Sequence, residues 1–137
     1  MKNKEIIKKY IREIVNTGNL SKLESFISED YVEVMDGERF EAGLEGARNH
    51  ILGVRNTYPD LELKIEKQVE EGEWVATSYI MTGTHMGEWM GIRPTGRKIK
   101  VSGVNFDRVV KGKIVEHGGA ANLLHPLLEA GAIKVCS

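Results

Sequence analysis

At 137 residues, 41% of them hydrophobic and 28% charged, the chain has the material for one domain with a single core and no room for two catalytic domains. Nineteen basic residues against twenty acidic ones give a formal net charge of -1, which removes the broad positive field that non-specific nucleic-acid binding needs. No apolar run approaches the ~18 residues of a membrane span. The start, with Lys2, Lys4, Lys8 and Lys9 set among Glu5 and isoleucines, reads as a helix face and not as a signal peptide. The single cysteine, Cys136, excludes an internal disulfide and a thiolate metal cluster, so the chain reads as cytoplasmic, with a fold that rests on packing alone.

Ile6, Ile7, Tyr10, Ile11, Ile14 and Val15 form the stripe of an amphipathic helix, stopped by Asn16-Thr17-Gly18-Asn19. Ser21 with Glu24 fits a capping box and predicts a second short helix that places Leu23, Phe26 and Ile27 on one side. A brief strand is expected over 31–34, then a loop over 35–43 carrying Asp36, Gly37, Glu38 and Gly43. Leu44, Ala47, Ile51, Val54 and Tyr58 recur at helical spacing, and Pro59 ends this third helix. Leu61, Leu63, Ile65 and Val69 alternate with Glu62, Lys64, Glu66 and Gln68 as a strand with one wet face. After the turn 70–73 come a strand from Trp74 to about His85, a loop over 86–96, strands over 98–109 and 114–121, and a short closing helix interrupted early by Pro126. Helices followed by a meander of long strands make an α+β domain, its helices packed on one face of a curved, mostly antiparallel sheet.

The strand over 98–109 carries the most chemical information. Ile99 and Val101 alternate with lysines, so odd positions face the core, and the same register points Gly103, Asn105 and Asp107 inward before Val109 restores an apolar side chain. Polar groups on a core face cost roughly 1 to 3 kcal/mol each when unpaired, which implies a cavity or a hydrogen-bonded network. A bulge near Gly103 is the competing reading; it would turn Asp107 out to solvent. His117 on the last strand and His85 at the end of an earlier one could face one cavity and serve acid–base chemistry, or be satisfied pocket histidines without chemistry. His50 and His125 are expected at the surface. In the apolar loop 85–92, Trp89 can lie over a cavity mouth or serve ordinary packing. His85, His117 and Asp107 could ligate a metal, but their spacing is not diagnostic, and no nucleotide, zinc-protease or serine-hydrolase motif occurs.

Several strings, in order along nearly the whole chain, carry a resemblance. They are Asn16-Thr17-Gly18-Asn19, Asp30-Tyr31-Val32-Glu33, Gly43-Leu44-Glu45-Gly46, Tyr58-Pro59-Asp60-Leu61, Thr82 to Glu88 with Gly91 to Arg97, Val101-Ser102-Gly103, and Gly112 to His117. Together they resemble the SnoaL-like polyketide cyclase family, also known as predicted ester cyclases, within the nuclear transport factor 2-like superfamily. The resemblance implies a single domain over 1–137: a cone of helices and strongly curved sheet, an α+β barrel around an apolar pocket, commonly dimeric through the sheet. It also implies a ring closure of a polyketide ester by an intramolecular aldol reaction, with a pocket acid/base and with neither cofactor nor metal. The chain departs from the family pattern at Val34-Met35-Asp36, where His-Asp-Pro is common. It departs again at Asn105, an aspartate in many relatives, at Gly118 in place of a tryptophan, and at Asn122 in place of an aspartate.

The expected function is a cyclase or isomerase that abstracts a proton beside the carbonyl of a small apolar compound. His117 or Asp107 is its base, Asn105 the donor to the developing oxyanion, and His85, Trp89, Tyr10 and Tyr79 line the pocket. The alternative is a non-catalytic small-molecule-binding module that has kept the fold and lost the acids. Neither nucleic acid nor membrane is an expected partner. A homodimer is expected through the outer face carrying Val104 and Phe106. In the small Gly118-Gly119-Ala120-Ala121 run one of Gly118 and Gly119 faces inward on either register, Gly118 being the candidate pocket residue, and this predicts a roomy cavity, ~300 to 1,000 Å³, that reaches the last strand beside His117 unless Trp89 or Tyr79 swings in to fill it.

Overall fold

The computed structural model describes residues 1–136. Helix α1 (Asn3–Tyr10) has Glu5 in its first turn and Lys8 and Lys9 in its last, charges that suit the helix dipole. It runs on into a wider π turn, Ile11–Val15, where the Asn16 amide donates to the Ile11 carbonyl. Ile6, Ile7, Ile11 and Ile14 are all buried, as their spacing predicts. The Asn16 side chain then clips the helix end to the sheet, donating to the Leu63 carbonyl at 3.0 Å and accepting from the Leu63 amide at 2.8 Å.

The second helix expected after Ser21 is only a 3-10 turn, Leu23–Ser25, with no side-chain cap. The Phe26 carbonyl accepts a hydrogen bond from the Ile114 amide at 2.7 Å, so tertiary pairing draws the chain into β1 (Ile27–Met35) before a helix can propagate. β1 is longer than the four residues expected, and the region read as a loop contains a further strand, β2 (Glu38–Glu41). Asp36 and Gly37, both at positive φ (52° and 79°), make the tight turn between them, a geometry whose twist matches a hairpin.

α2 (Gly43–Thr57) ends where Pro59 requires. Beside its end the Arg55 guanidinium donates to the carbonyls of Val15, Leu61 and Pro59, tying both helices to the start of β3 (Glu62–Glu71). β4 (Trp74–Thr84), β5 (Lys98–Val110) and β6 (Lys113–Ala121) complete one sheet of order β2-β1-β6-β5-β4-β3, antiparallel except for the β1–β6 pair. α3 (Leu124–Glu129) accommodates Pro126 in its first turn, where the missing amide costs nothing; Pro126 therefore does not interrupt it, and Leu127 packs on the sheet.

The β4–β5 register is continuous from Trp74↔Arg108 to Thr84↔Lys98, so no bulge intervenes at Gly103 and the inward alternation runs unbroken to Asp107. Bulges fall instead in β3, between Ile65 and Lys67, and in the β5–β6 pairing between Arg108 and Val109; such extra residues bend a sheet. Two apolar clusters fill the concave side. One gathers α1, β1, α2 and the ends of β4, β5 and β6; the other holds Tyr58, Leu61, Tyr79, Met81, Ile99, Val101 and Leu127.

Candidate active site

Two strand pairings assemble the site. β5 sets Asp107 opposite His117 of β6, and the parallel β1–β6 pairing sets Glu33 beside the same histidine, all on the concave face. Asp107 is only 4% exposed, and its Oδ1 lies 2.6 Å from His117 Nδ1. A carboxylate acceptor at that distance places the proton on Nδ1 and leaves the lone pair of a neutral ring on Nε2. Among the described residues Nε2 has no hydrogen-bond partner, and a quarter of the His117 side chain (25%) remains open to solvent.

Beside this pair stands a second. His50 of α2 holds its Nδ1 3.0 Å from Glu33 Oε1, the Tyr31 hydroxyl donates to the same oxygen at 3.4 Å, and the His50 and His117 rings meet edge to face with centroids 6.0 Å apart. Burial alone would push the Glu33 carboxyl up, but the hydrogen bond and charge of His50, then the charge of His117 and the Tyr31 bond, hold it below the usual range. His117 follows the same logic with opposite sign. Burial would lower its pKa; the charge and hydrogen bond of Asp107, reinforced by Glu33, raise it. Tyr10, at the end of α1, and Tyr31 both have their hydroxyls held firmly protonated, first by burial and then by the carboxylates around them.

Asn105 faces inward two residues before Asp107, about 7 Å along the strand. Its neighbours across the sheet are Thr77, which is fully buried, and Gly119, which has no side chain. At Gly119 φ is +150°, and a Cβ would fall 2.2 Å from the Val104 carbonyl oxygen and 3.1 Å from Asn105 Oδ1. Glycine there permits the close backbone approach and keeps one side of the amide clear.

Other residues singled out in the sequence lie elsewhere. Gly118 is opposite Phe106 and takes the outer face, its backbone against Val34, so the inward glycine is Gly119. His85 follows Thr84, which pairs with Lys98, whereas Val75 pairs with Asp107; nearly the whole length of β5 separates His85 from His117. His85 is 1% exposed, its Nδ1 is 3.3 Å from Thr95 Oγ1, and its backbone bonds Arg97 and Gly96, so it anchors the 86–96 loop. Trp89 sits half-exposed in a tight turn closed on Ile92. Tyr79 does face the interior, but it covers Gly103 directly opposite, where a Cβ would be 2.3 Å from its hydroxyl. Tyr79, Met81 and Val101 fill that half of the cone, and Gly118, facing outward, opens no space beside His117. Two surface clefts of about 290 and 260 Å³ lie beside α3 and at the end of the π turn, and neither is lined by His117.

Sequence reasoning missed Glu33, Tyr31 and His50. The available signals were the alternation that puts Tyr31 and Glu33 on the same face of β1, and the position of His50 beside buried Ile51 and three residues after buried Ala47. His50 is partly exposed, as expected, yet paired. No group of three His, Cys, Asp or Glu among the described residues is placed to hold a metal ion.

A helix-packed, bent sheet carrying imidazole–carboxylate pairs on its concave face, beside an amide that has no hydrogen-bond partner among the described residues, defines a domain equipped for acid–base chemistry on a small molecule. The chain belongs to the SnoaL-like polyketide cyclase family, whose model matches residues 5–129. Over 104 residues it is 30% identical to nogalonic acid methyl ester cyclase of Streptomyces nogalater, covering 74% of this chain and 78% of that one. It is 28% identical to the aklanonic acid methyl ester cyclase AcmA of Streptomyces galilaeus over 109 residues, covering 77% and 74%. Among solved structures, IdmH of Streptomyces antibioticus, a candidate polyketide cyclase, superimposes with a TM-score of 0.81 at 28% identity, over 96% of this chain and 99% of that one.

Proposed function

We propose that this protein is a cofactor-free cyclase that closes a ring of a polyketide methyl ester by an intramolecular aldol reaction, with His117 as its base. The observation that carries this reading is the 2.6 Å contact between His117 Nδ1 and Asp107, which orients the ring and leaves Nε2 to take a proton. Asp107 is the positioning residue: it fixes the tautomer and supplies the counter-charge when the ring is protonated. The Asn105 amide donates to the enolate oxygen that develops as the α-proton leaves, a role open to an amide although it cannot act as the base. Tyr10 and Tyr31 supply the apolar wall with protonated hydroxyls. Substrate enters from the exposed side of His117.

The relatives' substrates are the natural probes. Incubated with nogalonic or aklanonic acid methyl ester, the protein should give the ring-closed isomer, with kcat/KM falling ~10²- to 10⁴-fold in His117→Gln and Asp107→Asn and ~10²-fold in Asn105→Ala. Full turnover in the first two variants would overturn the reading. Saturable binding without product would leave the alternative, a binding module of the same fold, as the function.

Two further features belong to this proposal. The outer face of β4 and β5 exposes Trp74, Val104 and Phe106 (39%, 40% and 53%) beside the small residues Gly118 and Ala120, an apolar surface suited to a second copy of the chain. No helix of the described residues is long and apolar enough to cross a membrane, and the one cysteine, Cys136, is free, which supports a cytoplasmic setting.

A further inference from the structure

We propose that His50, backed by Glu33, is the acid of the same reaction, so that the site holds two imidazole–carboxylate pairs with opposite tasks. The inference rests on His117 being the base.

An aldol closure needs a proton at two places. His117 Nε2 takes the α-proton, the resulting enolate carbon bonds to the acceptor carbonyl carbon, and the π electrons of that carbonyl move to its oxygen as an alkoxide. His50 Nε2–H then gives its proton to that oxygen, so the product is an isomer of the substrate with one new C–C bond and one new hydroxyl. His117 ends protonated and His50 neutral, and exchange with solvent, which reaches both rings, resets them.

The two pairs are built alike. Each imidazole bonds its carboxylate through Nδ1, and among the described residues neither Nε2 has a partner. Their centroids, 6.0 Å apart, allow the rings to address neighbouring atoms of one substrate. An ordinary surface ion pair would have no reason to draw its glutamate from the concave face: the Glu33 side chain is 16% exposed, held by Tyr31 as well as His50, and sits beside His117 in the β1–β6 register. His50, 41% exposed, stands on the open side where the acceptor end of a substrate would lie. The Tyr10 and Tyr31 hydroxyls, held protonated first by burial and then by the carboxylates, wall the same face.

The test separates the two protons. In D2O, with nogalonic acid methyl ester as probe, NMR follows deuterium uptake at the α-carbon above the uncatalysed rate while chromatography follows ring closure. His50→Gln should keep exchange within about twofold of the parent and lose closure ~10²-fold. His117→Gln should lose both. If exchange and closure fall together in His50→Gln, or closure is unchanged, His50 is not the acid and the base assignment stands alone. If the unmodified protein accelerates neither, the base assignment fails and this one with it.

Discussion

The contact between Asp107 and His117 can be measured by changing the two residues singly and together. Asp107→Asn, His117→Gln and the double variant form a cycle whose coupling energy isolates the pair from the other consequences of each substitution. A hydrogen bond to a charged group contributes about 1.5 to 3 kcal/mol. The Asp107 side chain is 5% exposed, which favours the upper end, but the His117 side chain is 25% exposed and partly screened by solvent, which brings the expectation to about 1.5 to 2 kcal/mol. The pH dependence has a definite sign. In the folded protein burial would depress the His117 pKa, but Asp107 and then Glu33 outweigh it and raise the value. A raised histidine contributes stability that is fully present below its unfolded value, about 6.5, and is lost as pH rises through its higher folded value. Urea unfolding followed by far-UV circular dichroism should therefore give a larger coupling at about pH 5.5 than at about pH 9. A coupling below about 0.5 kcal/mol at the lower pH, or one that grows with pH, would refute the reasoning.

Gly119→Ala should lower stability by about 1 to 3 kcal/mol, read as a fall in the thermal midpoint, because its added Cβ meets the Val104 carbonyl at a backbone angle that only glycine adopts freely; an unchanged midpoint would mean the strand can shift. The Asp60 carboxylate accepts from the Thr84 amide at 2.6 Å and the Thr84 hydroxyl at 2.7 Å, and these bonds hold its pKa below the usual range. Its contribution is therefore present above the ordinary aspartate pKa and lost as pH falls through the lowered folded value, so Asp60→Asn should lower the thermal midpoint at neutral pH and converge with the parent once the pH is low enough to protonate the folded carboxylate; a difference that persists or grows on acidification would refute it. Phe106→Glu should turn a dimer into a monomer in sedimentation velocity without loss of helix or sheet signal, since the side chain is 53% exposed; a parent protein already monomeric at micromolar concentration would remove the dimer from the proposal.

What the chain shows without its structure is governed by short periods. The Ile99 and Val101 alternation carries Asn105 and Asp107 to the concave face, because a strand in continuous register returns every second side chain to the same side, and β5 keeps that register from Lys98 to Arg108. The 3.6-residue stripe locates both helices, its first apolar residue falling three residues into α1 and one into α2, and Pro59 marks the end of α2. The Asp36-Gly37 pair also held the β1–β2 hairpin in plain view, but β2 is exposed along its whole length and has no apolar alternation to betray it. The pairing of Glu33 with His117, and of His50 with Glu33, lies beyond such reasoning. It depends on β1 joining β6 in parallel across most of the chain and on α2 packing over that seam, and no local period encodes which distant strand becomes a neighbour. The outward turn of Gly118 has the same origin. One glycine faces inward on either register, but the bulge opposite Val109 selects Gly119, and the rotamer of Tyr79 on another strand decides how the space beside Gly103 is filled.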